Sequence, residues 1–333
     1  MLVLSFRDMS TPRCSAVTPA AAYRLDGVEP ALRWDPAPRL TLASWDEVRA
    51  TVQGKHVCFL VHGFNVDRDR GYTSFGVAAQ EMQPGGPLLT LGTPPGPQDL
   101  LAPGIDVVIP VLWAGDWYLP INYPLLLPDA RLTGRHFAEF IASSASQMSR
   151  VSFVSHSMGA RVVLETVQQT MAASKRTGNP APIFETAILT AAAVSDEVLD
   201  DPNYVDAVAA IEQFVVVSSR ADTVLSGDFP AGNAAEQAMW PRDPGADAAL
   251  GRYGPRLKSG SAALKKTRWF EVPQGADPRG NLDHNDYFPW PWKPVESYPN
   301  GWSAKRVCVG ALNQAVLDQQ TPTWPPAKTV SPR

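Results

Sequence analysis

Apolar positions along this chain gather into short unbroken runs rather than strict alternation. HVCFLVHGF (56–64), IDVVIPVLWAG (105–115), VSFVSH (151–156), IFETAILTAAAV (183–194) and QFVVVSS (213–219) are rich in β-branched and other apolar residues. Runs of that length and composition read as strands covered on both faces. Between them the spacing changes. Residues 131–149 and Met158–Met171 carry apolar positions three and four apart, with Ala160, Val163 and Val167 on one face, which predicts helices. Shorter helices are predicted near Arg70–Glu81 and over 204–211, a last strand at RWFEVP (268–273), and a closing helix over 303–319. Strands alternating with helices imply crossover connections and a mostly parallel sheet with helices on both faces, the α/β class.

Other segments are broken. Residues 1–54 are rich in Pro, Ala and Arg and read as an N-terminal extension packing on the core, with one helix near Ala43–Val52. Ser44 followed by Glu47 supplies a capping box for that helix. The core domain spans 55–320, interrupted by insertions at about 82–104, 116–130 and 226–267, and residues 321–333 read as a flexible tail. Proline accounts for 32 of the 333 residues, roughly twice the usual ~5%, and it marks these interruptions.

Composition narrows the function classes. A net charge of −4 with scattered cations gives no surface for nucleic acid. No run reaches the ~18 apolar residues of a membrane span. The N-terminus reaches Arg7 and Asp8 after a few apolar residues, unlike a signal peptide, so the expected location is the cytoplasm. Cys14, Cys58 and Cys308 are too few for a disulfide framework. No cluster of His, Cys and carboxylates has the spacing of a metal site, and no cofactor is called for.

The chemistry concentrates in SHSMG (155–159), which joins a predicted strand to a predicted helix. A serine at such a junction with small residues two before and two after is a nucleophile elbow. Ser155 stands where glycine is usual, and Gly159 holds the other small position. Ser157 is thus the candidate nucleophile. Of the five histidines only His284, in the loop after the last strand, follows Ser157 in the chain, and the order Ser, acid, His makes it the candidate base. Asp222, ending the strand before, is the first choice of acid, and Asp196 is the rival one strand earlier. Asp283 and Asp286 flank His284 and are expected to shape its loop. The strand ending in His62-Gly63-Phe64 supplies a second donor loop, so the backbone N–H groups of Phe64 and Met158 are the candidate oxyanion hole. His62 is expected to brace this loop, and His156 to point away from the nucleophile.

The motifs VHGFN, SHSMG, SSRADTVL and DHNDYF, in that order, resemble the α/β-hydrolase superfamily. More narrowly they resemble a bacterial serine-hydrolase family catalogued as α/β hydrolases of unknown function. The resemblance covers about residues 55–320. It implies an eight-stranded type of sheet, an α/β-hydrolase fold and a Ser157–His284–Asp222 triad, without a substrate. The Pro-rich excursion at 82–104 and the long insertion at 226–267 depart from the pattern.

Two aromatic stretches are candidates for a substrate pocket: Trp113, Trp117 and Tyr118 after one strand, and Tyr287, Phe288 and Trp290 after His284. The alternative is that they pin long loops to the body. Together these features predict a serine hydrolase acting on a small-molecule carboxylic ester through an acyl-enzyme. An acyltransferase or thioesterase with the same residues, or a non-catalytic binding module of the same fold, are the other readings.

Overall fold

The computed structural model describes residues 1–26, 39–82, 105–116, 125–144, 147–227, 229–230, 248–272, 282–288, 328–330 and 332. The expected closing helix at 303–319, the excursion at 83–104, and Cys308 lie outside them.

Nine strands form one sheet: β1 (Leu2–Arg7), β2 (Val17–Asp26), β3 (Arg39–Leu42), β4 (His56–Val61), β5 (Val107–Trp113), β6 (Arg150–His156), β7 (Ile183–Thr190), β8 (Ile211–Ser219) and β9 (Thr267–Val272). Their order across the sheet is β3-β2-β1-β5-β4-β6-β7-β8-β9. From β1 to β9 every neighbouring pair is parallel. Only β2 is reversed: it pairs antiparallel with β1 on one side and with the edge strand β3 on the other.

The N-terminal segment therefore differs from its sequence reading. Its helix α1 (Trp45–Val52) forms as expected, with the Ser44–Glu47 capping box in place. Residues 2–7, 17–26 and 39–42 also add three strands to the sheet. The β2 sequence VTPAAAYRLD is poor in the β-branched and aromatic residues that mark strands. Its conformation comes from pairing with β1 on one side and β3 on the other, not from propensity.

Burial of the central strands follows from their side-chain alternation. All six residues of β4 are buried. Val57, Phe59 and Val61 enter the larger core layer, and Cys58 and Leu60 enter the layer on the opposite face. Helices α4 (Leu127–Ser144) and α5 (Gly159–Thr177) cover the first face. Phe137 of α4 meets Phe59 edge-on at 5.0 Å and Phe153 edge-on at 6.0 Å between ring centroids. Helices α2 (Arg68–Arg70) and α3 (Gly76–Met82) flank a π-helical turn, Gly71–Phe75, that sends Phe75 into the opposite layer. Short helix α6 (Val205–Ala210) leads directly into β8.

A parallel sheet brings all its carboxyl ends to one edge, and binding crevices form there. His62 directly follows β4, Ser157 directly follows β6 and Asp222 comes just after β8, so the candidate residues reach a common rim from separate strands.

Candidate active site

Ser157 sits between β6 and α5 with φ 53°, one of four non-glycine residues with positive φ among the described residues. A non-glycine residue in this left-handed region is strained by about 1–2 kcal/mol. The turn is held from both sides. The Ser157 N–H donates to the Thr190 carbonyl at 3.0 Å, and the Ser157 carbonyl accepts from Ala193 N–H at 3.1 Å. The small flanking residues are needed for contact reasons. A methyl group on Gly159 would lie 2.5 Å from the His62 carbonyl oxygen and 2.7 Å from that of Val61. At position 155, where glycine was expected, the serine hydroxyl donates to the Ile188 carbonyl at 3.2 Å. The extra atoms are accommodated by a hydrogen bond to the neighbouring strand.

Ser157, His284 and Asp222 form one chain of hydrogen bonds. His284 Nε2 lies 2.9 Å from Ser157 Oγ, and His284 Nδ1 lies 2.8 Å from Asp222 Oδ2. All three side chains are buried. Asp222 accepts with both oxygens, since Oδ1 takes the Leu225 N–H at 2.8 Å. Nδ1 of His284 must then carry the proton, which leaves Nε2 free to accept one from the serine.

The loop bearing His284 is tied to the end of β8. Ser219 Oγ donates to the Leu282 carbonyl. Asp283 Oδ1 accepts from the Thr223 and His284 backbone N–H groups, each at 2.8 Å, and Asp286 Oδ2 accepts from Asp283 N–H at 2.8 Å. Burial alone would raise the Asp283 carboxyl, but these hydrogen bonds outweigh it and hold the group below its ordinary range. Asp196 is placed elsewhere. It faces Arg256 at 3.6 Å, and its backbone pairs with Ala248 and Arg256.

The donor loop after β4 approaches the nucleophile closely. A methyl group on Gly63 would stand 2.6 Å from Ser157 Cβ, so only glycine fits. Phe64 follows, and Asn65 takes a left-handed conformation (φ 60°) with its N–H on the Gly115 carbonyl at 2.6 Å. His62 braces the loop: its Nδ1–H donates to the Gly63 carbonyl at 2.8 Å, and Nε2 accepts Trp113 N–H at 3.0 Å. Burial pushes the His62 imidazole down to about 3, so it is neutral at ordinary pH. Met158 opens α5, whose first N–H groups have no partner within the helix.

A seam of rings runs beneath the site. Trp113 stacks on His62 at 5.6 Å, His62 meets Phe75 at 5.6 Å, and Phe75 stacks on Phe288 at 4.8 Å. Phe288 then meets His156 edge-on at 5.3 Å, and His156 meets His284 at 4.9 Å. Trp113, Tyr287 and Phe288 are fully buried, with 0%, 0% and 1% of their surfaces exposed. Among the described residues their ring contacts are with His62, Phe75 and His156. Trp117, Tyr118 and Trp290 lie outside the described residues.

Sequence reasoning missed one support. Arg7, the last residue of β1, is buried against Asp116 at 3.1 Å and donates to the carbonyls of Pro12 (3.1 Å) and Val66 (3.4 Å). Asp116 in turn accepts Cys14 N–H at 2.8 Å. This pair fastens the donor loop to the ends of β1 and β5. No local signal marks it, because its residues stand 109 positions apart in the chain and meet only when β1 pairs with β5.

Residues 44–228, more than half of the chain, match the sequence model of a family described as "Alpha/beta hydrolase of unknown function (DUF900)". The chain belongs to this family. The matched span carries β4 to β8, Ser157 and Asp222, while His284 lies beyond it. No curated protein sequence matches. Solved structures similar to this member of the alpha/beta hydrolases include esterase B from Lactobacillus rhamnosis, at 12% identity, covering 80% of each chain, TM-score 0.35. The Pyrobaculum calidifontis esterase is 11% identical, covering 80% of this chain and 78% of its own, TM-score 0.32. Lipase B of Aspergillus fumigatus is 13% identical, covering 93% and 75%, TM-score 0.35. At TM-scores this low the likenesses carry no argument, and the hydrolase fold rests on the family match and the strand order. Among the described residues no helix is long and apolar enough to cross a membrane, and no three His, Cys, Asp or Glu side chains stand together as metal ligands.

Proposed function

We propose that this α/β hydrolase is a serine hydrolase that cleaves carboxylic esters of small molecules through an acyl-enzyme, with Ser157 as nucleophile, His284 as base and Asp222 as its orienting acid. The observation that carries this reading is the unbroken hydrogen-bond chain from Ser157 Oγ through His284 to Asp222, at 2.9 and 2.8 Å. Nucleophile, base and orienting group in contact are the arrangement that activates a weak hydroxyl.

The hydrogen-bond chain supports the following reaction. As Ser157 Oγ attacks the ester carbonyl, its proton passes to His284 Nε2. Asp222 holds the resulting imidazolium through Nδ1–H. Negative charge developing on the carbonyl oxygen is taken by the N–H groups of Phe64 and Met158, where one such donor contributes about 2.7–4 kcal/mol. His284 then protonates the departing alkoxide, leaving an acyl group on Ser157. Water, deprotonated by His284 Nε2, attacks the acyl carbon; the bond to Ser157 Oγ breaks, His284 returns the proton to Oγ, and the carboxylic acid departs.

The test is labelling with a fluorophosphonate and mapping of the adduct by mass, followed by an ester panel graded by acyl length. A single adduct on Ser157, with ester turnover lost on the order of 10⁴-fold or more in Ser157→Ala, is expected. Undiminished turnover in a folded Ser157→Ala protein would refute the proposal.

A further inference from the structure

His156 immediately precedes Ser157, and its imidazole is buried, only 3% exposed. Its Nε2 lies 2.7 Å from the backbone carbonyl oxygen of His284. A carbonyl can only accept, so Nε2 carries the proton and donates. The same ring packs against Phe288 at 5.3 Å and Tyr287 at 6.2 Å, and it stands 4.9 Å from the His284 ring itself. On its other side is the donor loop, where a methyl on Gly63 would come within 3.0 Å of His156 Nδ1. One side chain thus touches the elbow, the base loop and the donor loop.

We infer that His156 is a positioning residue: its Nε2–H, fixed on the His284 carbonyl, sets the height of the base loop over Ser157. This inference rests on the hydrolase reading of the Ser157 site and deepens it.

The physical need is specific. His284 follows the end of β9 by twelve positions in the chain, while Ser157 directly follows β6. The Asp222 contact fixes the tilt of the imidazole, but it leaves the backbone that carries the ring to be held by other means. A hydrogen bond to the backbone carbonyl of the base, donated from the residue beside the nucleophile, references one partner directly to the other. Burial, and secondarily the neighbouring His284, hold the His156 imidazole well below its ordinary value. It stays neutral while His284 gains charge, so it adds no second cation beside the imidazolium.

The test compares His156→Phe, which keeps a ring and removes the donor, with His156→Gln, which keeps an N–H at similar reach. Steady-state kinetics on p-nitrophenyl esters, and spectra of protein labelled with ¹⁵N-histidine, are read for both. In His156→Phe, kcat is expected to fall on the order of tenfold to a hundredfold with KM little changed, the cost of misplacing a reacting group by a fraction of an ångström. The deshielded His284 Nδ1–H resonance should broaden or disappear. His156→Gln should recover most of both. His156→Leu replaces the Phe variant if that ring prevents folding. Wild-type kcat with an unchanged His284 resonance in the donor-less variant overturns the inference, as does equal loss in the Phe and Gln variants. The spectrum separates the two proposals: a protein that neither turns over esters nor takes a fluorophosphonate refutes the hydrolase reading, while the His284 resonance still decides the His156 contact.

Discussion

Asp222 and His284 stand 62 residues apart in the chain and meet at 2.8 Å, both buried, with the second Asp222 oxygen on the Leu225 N–H. Asp222 is thereby fixed before it orients the imidazole, and the orientation is not left to side-chain rotation.

Replacing Asp222 by Asn tests this. The amide would turn an N–H toward His284 Nδ1, forcing the proton onto Nε2, where it blocks acceptance from Ser157. Ester turnover is expected to drop on the order of 10⁴-fold with the fold retained. A turnover within tenfold of wild type would show that another group orients His284.

Gly63 and Gly159 limit how far the elbow tolerates change. With 2.6 Å to Ser157 Cβ, a Gly63→Ala methyl forces the donor loop away from the nucleophile. A displacement approaching 1 Å costs about 10²-fold in rate. Gly159→Ala collides with backbone carbonyls at 2.5 and 2.7 Å and is expected to destabilise the whole protein as well. Thermal melts and kcat/KM separate the two: Gly63→Ala should lose rate more than stability, Gly159→Ala both.

Two buried neutral histidines predict how stability responds to pH. His62, held at about 3, and His156, held well below 6.5, bind no proton in the folded protein where the unfolded chain binds one each. The unfolded state takes up protons as pH falls through 6.5, so each histidine destabilises the fold by up to about 1.4 kcal/mol per pH unit below that. Urea midpoints should therefore decline from pH 7 to pH 5, before carboxylates begin to titrate. A midpoint that is flat over this interval would contradict neutral burial of both rings.

The Arg7–Asp116 pair is predicted to matter most when broken on one side only. Arg7→Met leaves the Asp116 carboxylate buried without its partner, at a cost of about 3–5 kcal/mol. Replacing both, by Arg7→Met with Asp116→Leu, should recover much of that stability. Denaturant unfolding of the three proteins decides it, and equal stability of the single and double variants would count against a buried charge as the cause.

Continuous apolar runs were enough to identify β4 to β8, since a strand covered on both faces needs no partner to reveal its pattern. Ser44 and Glu47 identified the start of α1, because a cap is a local hydrogen bond. Spacing and chain order also singled out Ser157, Asp222 and His284 as residues to bring together. Other features depended on contacts between distant segments. The Ala-rich β2 is a strand only because β1 and β3 pair with it. That His284 meets Asp222, while Asp196 faces Arg256, depends on where the strand ends and loops come together. Trp113, Tyr287 and Phe288, readable from the sequence either as a pocket wall or as plugs that pin loops, are buried in contact with His62, His156 and Phe75. The sequence by itself determined the parallel α/β framework and the order of its reactive residues, because periodicity and turn chemistry are local. The tertiary structure alone decided which of these side chains meet and which lie buried beneath them, because burial and hydrogen bonding depend on segments far apart in the chain.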